Sequence, residues 1–193
     1  MNKKSFLIGV AALMLPMAMH AQYTIYPVPH EQTAGTGKVS FTKNVNVICD
    51  NGIDQYTKKR VTNVFAEKGI TVNFSDAAST TESNVYLGIN GAKGKGNEVA
   101  TSLGLALDVL SKENKFDRHI LSLTDAGNGV AQLLVLGENT DATFMGLASL
   151  EQILDNGTSD LQTVTLNDYA DLKERGIIEG FYGKPYSSEV RKD

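Results

Sequence analysis

The chain has 193 residues, 41% of them hydrophobic and 21% charged, which is the balance of one ordinary globular domain with little left over. Its 18 basic and 22 acidic residues give a net charge of −4, or −6 without Lys3 and Lys4. An acidic chain with no basic patch has no electrostatic footprint for nucleic acid. The single cysteine, Cys49, excludes an internal disulfide, and its place in the apolar run VNVICD predicts a buried structural thiol rather than a reactive one.

Residues 1–21 read MNKKSFLIGVAALMLPMAMHA: two lysines, an apolar run from Phe6 to Met19, then a small residue at Ala21. This is the pattern of a secretory signal peptide, so the protein is expected to be exported, to the periplasm or the cell exterior. The run is shorter than the roughly 20 residues that cross a bilayer, so no membrane span is expected after cleavage.

From Tyr23 onward, strand-like and helix-like signals alternate. TIYPVP (24–29) is extended, with prolines that suit an edge; KVSFT (38–42) and VNVICD (45–50) read as short strands. Residues 54–69 place Tyr56, Val61, Val64 and Phe65 on one helical face, with Gly69 as the stop. ITVNFS (70–75) and NVYLGIN (84–90) are extended. Residues 91–117 are less regular, with helical spacing in the second half weakened by Gly104. RHILSLTD (118–125) and VAQLLVLGEN (130–139) flank DAGNG as a hairpin. The best helix follows at 140–157, capped by Thr140 or Asp141, lined by Phe144, Leu147, Leu150, Ile153 and Leu154, and ended by Asn156-Gly157. LQTVTLNDY (161–169) is a last strand. The expected fold class is therefore α/β (α+β): a small mixed β-sheet covered by helices.

Candidate chemistry is sparse. His30 and His119 lack the spacing of a metal-ligand pair, and no cofactor motif is present. GINGAKGKGN is glycine-rich, but Lys95 is followed by Gly96 where a phosphate loop needs Ser or Thr, so a plain loop is expected. Glycosidases usually need two carboxylates across the scissile bond. Asp168, Asp171 and Glu174 sit in the charged segment DYADLKE, which reads as a solvated boundary, and Glu179 sits inside an apolar stretch where it is either structural or functional.

Residues 168–187, DYADLKERGIIEGFYGKPYS, resemble the entry to the catalytic barrel of glycoside hydrolase family 84, the bacterial O-GlcNAcase and hyaluronidase-type β-N-acetylglucosaminidases. Asp168, Tyr169, Asp171, Arg175, Gly176, Glu179, Gly180, Phe181, Tyr182, Gly183, Pro185 and Ser187 match the family pattern; Ala170 stands where proline is usual and Tyr186 where tryptophan is. NTDATFMGLASLEQIL is similar to a helix of the small domain that precedes the barrel.

The resemblance implies a signal peptide (1–21), a hexosaminidase-like N-terminal domain (22–170) and the first strand of a (β/α)₈ barrel (171–193). Substrate-binding residues would be Gly180, through its main-chain carbonyl, and Tyr182; no catalytic residue lies in the chain, because the family's adjacent aspartates are on a later barrel strand and no two acidic residues adjoin here. It implies no cofactor and no metal, and a partner that is a glycan or glycoprotein bearing N-acetylglucosamine. A barrel needs about 250 residues, so this chain alone is expected to be inactive. The alternative left open is a non-catalytic carbohydrate-binding or interaction module.

Overall fold

The computed structural model describes residues 23–176. Among them, seven strands form one sheet in the order β1-β7-β5-β6-β4-β2-β3. The strands are β1 (Glu31–Val39), β2 (Asn44–Cys49), β3 (Thr71–Phe74), β4 (Ser83–Ile89), β5 (Phe116–Asp125), β6 (Ala131–Gly137) and β7 (Leu161–Ala170). Helices α1 (Gln55–Ala66), α2 (Lys95–Ser102) and α3 (Thr140–Leu154), with a 3₁₀ turn at Asp108–Ser111, cover it. One half, β3-β2-β4-β6, is parallel; the other, β6-β5-β7-β1, is antiparallel. The expected mixed sheet covered by helices is what the chain forms.

The two-residue period of a strand divides the core between the two faces. Val45 and Val47, Val85 and Leu87, Leu121 and Leu123, and Leu133 and Val135 point to one side, where α1 and α3 add Val61, Val64, Phe65, Leu147, Leu150 and Ile153. Ile48, Tyr86, Ile120, Leu134 and Leu136 point to the other, beneath Ala100 of α2 and Val109 and Leu110 of the 3₁₀ turn. A strand covered on both faces has no polar alternation, which is why AQLLVLG of β6 reads as a continuous apolar run.

The hairpin forms as expected, from Asp125 paired with Ala131 to His119 paired with Gly137. The Asp125 carboxylate accepts from the amides of Gly127 (2.7 Å) and Gly129 (3.0 Å) and so fixes the turn. Helix α3 also forms, but Asn139 caps it rather than Thr140 or Asp141: its side chain accepts from the Ala142 amide at 2.9 Å. Gly157, at φ +102°, turns the chain away beyond its end.

Four expectations are corrected. Residues 24–29 form no strand, because Gln152 of α3 bonds both the amide (2.8 Å) and the carbonyl (3.0 Å) of Tyr26 and holds the segment against the helix. The first strand lies earlier than 38–42, at Glu31–Val39, and pairs with β7 across a register shift between Ala34 and Lys38. In α1, Thr57 takes the inward position and Tyr56 is 67% exposed, since the Thr57 hydroxyl lies 3.2 Å from that of Thr140 and ties α1 to α3. Gly104, at φ +64°, ends α2 rather than weakening a later helix; the helix is the polar stretch before it.

Candidate functional site

A groove of about 640 Å³ opens between the 25–30 segment, the outer face of α3, the start of β5 and the end of β7. It collects charged residues that are far apart in sequence. His30 Nδ1 lies 2.8 Å from Asp168 Oδ1, and the His30 amide donates to the same oxygen at 3.3 Å. His30 Nε2 lies 3.7 Å from Asp171, whose other oxygen accepts from Lys115 Nζ at 2.6 Å. The Tyr169 ring stacks on His30 with centroids 3.6 Å apart, and the ammonium groups of Lys112 and Lys115 approach the same ring. Arg175 pairs with Asp117 at the far edge.

Two of the sequence-stretch carboxylates are therefore brought together, and both are committed to cations. The hydrogen bond from Lys115 holds the Asp171 carboxyl below its usual range, against a smaller effect of desolvation, with the Lys115 and His30 charges adding to it. A carboxylate held in this way is a poor general acid at neutral pH. Glu174 is exposed. Glu179, Gly180 and Tyr182 lie outside the described residues, as does the leader at 1–21.

His119, 4% exposed, sits in the wall of the groove. Its Nδ1 lies 2.7 Å from the Asp117 carbonyl, an acceptor only, so Nδ1 carries the proton. Nε2 has no partner among the described residues. Burial, the largest effect, pushes the imidazole below its ordinary value, opposed by the Asp117 carbonyl and the charges of Asp168 and Asp117. Helix α3 approaches closely here because residue 146 is glycine: a Cβ there would lie 2.6 Å from Val135 Cγ1 and 3.0 Å from His119 Cδ2.

The glycine-rich loop 88–97 joins β4 to α2, and the place where a phosphate would rest is taken by a side chain. Asp50, 5% exposed at the end of β2, accepts from the Gly96 amide at 3.1 Å and the Ile89 amide at 3.2 Å. A Cβ on Gly96 would lie 2.7 Å from Gly88 Cα and 2.9 Å from Asp50 Oδ2. The glycines thus serve close packing around an internal carboxylate, which supports the plain-loop reading over a nucleotide site. Sequence reasoning missed Asp50; its only signal was an acid closing an apolar strand in a chain with a later glycine-rich loop. Cys49, half-buried, has its thiol pushed up to about 11, chiefly by desolvation, partly opposed by Lys58 and reinforced by Asp50. That is a structural thiol with little nucleophilic character.

Comparison with known proteins agrees with this architecture. Residues 22–169 match the family model described as glycosyl hydrolase family 20, domain 2. The solved structure of CpGH84D superposes with a TM-score of 0.78 at 32% identity over 89% of this chain, and that of CpGH84B with 0.67 at 25% identity over 88%. The chain spans only 28% and 26% of those two proteins. With the family model matched over most of its length, the chain belongs to the glycosyl hydrolase family 20 domain 2 family, as a hexosaminidase N-terminal domain of the family 84 kind.

Proposed function

We propose that this chain is the N-terminal part of an exported, retaining β-N-acetylglucosaminidase acting by substrate assistance on glycans or glycoproteins that carry N-acetylglucosamine. The observation that carries the reading is a juxtaposition: the block RGIIEGFYG follows directly on a domain of hexosaminidase type. In this reading residues 171–193 open a (β/α)₈ barrel, whose active site collects at the C-terminal ends of its strands. The carbonyl of Gly180 and the hydroxyl of Tyr182 would then contact the sugar, and the reacting aspartates would lie in polypeptide beyond residue 193.

The reaction needs no protein nucleophile. The substrate's own acetamido oxygen attacks the anomeric carbon as the bond to the leaving oxygen breaks, and an acidic side chain gives that oxygen its proton. A second carboxylate accepts a hydrogen bond from the acetamido N–H and stabilises the charge on the oxazoline intermediate. Water then adds to the anomeric carbon and loses a proton to the first side chain, so the two inversions restore the β configuration. Holding the nucleophile within the substrate removes much of the entropic barrier. None of these roles falls to Asp168 or Asp171, which are paired with His30 and Lys115.

The test is proton NMR of the sugar first released from an aryl N-acetyl-β-glucosaminide by the whole gene product. The β anomer should appear first. Initial release of the α anomer would contradict the proposed mechanism.

A further inference from the structure

The groove beside His30 plays no part in the chemistry above, yet it gathers an unusual share of the molecule's exposed apolar surface. Six large hydrophobic side chains are exposed among the described residues, and four of them line this groove: Tyr26 (70%), Val28 (73%), Met145 (40%) and Leu172 (68%). Single exposed apolar residues are ordinary, but a cluster with polar neighbours marks a docking surface.

Its polar atoms are largely satisfied from within. Asp168 and Asp171 are held by His30 and Lys115, Arg175 pairs with Asp117, and Gln152 takes both backbone groups of Tyr26. A partner can therefore cover the groove without stripping water from unpaired charges, and the wall formed by 25–30 is already fixed in place. Both effects lower the cost of association. The Tyr169 ring is occupied by His30 and approached by two lysines, so it is a poor platform for stacking a sugar.

The course of the chain identifies the occupant. Leu172 and Arg175 line the groove, so the polypeptide passes along it just before residues 177–193, which carry Ile177, Ile178, Phe181 and Tyr182. CpGH84D and CpGH84B are both more than three times as long as the part this chain matches. A domain tethered at the groove's own rim has a local concentration in the millimolar range, on the order of that for any short linker.

We infer that the groove is the seat on which the downstream domain of the same polypeptide docks, with Tyr26, Val28, Met145 and Leu172 as its apolar anchors. The inference rests on the reading that the gene product continues past residue 193.

Met145 supplies a clean reporter, because the other four methionines all lie within residues 1–19. Its oxidation by dilute peroxide is followed by peptide mass spectrometry in the 193-residue chain and in the whole gene product. Met145 should oxidise at least about fivefold more slowly in the whole product. The pair Val28→Glu with Leu172→Glu, both at exposed positions, should restore the faster rate there while leaving the thermal midpoint of the 193-residue chain unchanged. Equal rates in the two unsubstituted proteins would overturn the inference. So would protection of the 193-residue chain that grows with its concentration, since a second copy would then be the occupant. Hydrolysis of the aryl glycoside by the same whole product separates the two readings: turnover with unprotected Met145 sinks the docking surface alone, and protection without turnover sinks the glycosidase reading alone.

Discussion

Asp50 and His119 are two buried ionisable residues with opposite solutions to burial. Asp50 stays hydrogen-bonded, accepting from Gly96 and Ile89. Asp50→Ala would leave both amides without their acceptor and open a void among Gly88, Gly94 and Gly96, so we expect a loss of about 2–4 kcal/mol in urea unfolding. Asp50→Asn keeps the shape and one acceptor and should cost less. His119 instead folds without a proton on Nε2. Its folded value lies below its ordinary 6.5, so as pH falls the unfolded chain binds the proton first. Its contribution is complete above pH 6.5 and is lost as pH falls below that value. The urea midpoint of wild type should therefore drop between pH 7.5 and 5.5, and His119→Gln should flatten that drop; an unchanged slope in the variant would show that His119 is not the titrating group.

At the scale of elements, α3 joins the parallel and antiparallel halves by packing on β5 and β6. Removing its cap with Asn139→Ala should cost about 1 kcal/mol, read from the thermal midpoint. Gly146→Leu should cost more, roughly 2–3 kcal/mol, because α3 cannot move away from Val135 and His119 without opening the core. Elements whose burial repeats with a regular period were legible in the sequence, as α3, β5 and β6 show. Strand β1 was not, because EQTAGTGKV is an edge that pairs through its backbone and buries only Val39 fully. The 24–29 segment misled for the opposite reason: its composition suits a strand, but Gln152 satisfies Tyr26 in place of a neighbouring strand. The Tyr56 and Thr57 exchange shows a hydroxyl bond between helices deciding which side chain faces inward. The groove was illegible because its charged pairs, such as His30 with Asp168, span 138 residues of chain.

For the molecule as a whole, the local sequence motif and the folded domain carry different parts of the account. The domain supplies a rigid sheet and a preformed groove; the block at 175–183 carries the resemblance to an enzyme, and Gly180 and Tyr182 within it lie beyond the described residues. Stability should consequently reside in residues 23–170, where both hydrophobic cores lie, and glycosidase chemistry should require more polypeptide. The most direct measurement is release of 4-nitrophenol from its N-acetyl-β-glucosaminide by the 193-residue chain and by the whole gene product at equal concentration. The account predicts turnover by the longer protein and none above background by the shorter; turnover by the 193-residue chain, or its absence from both, would contradict it.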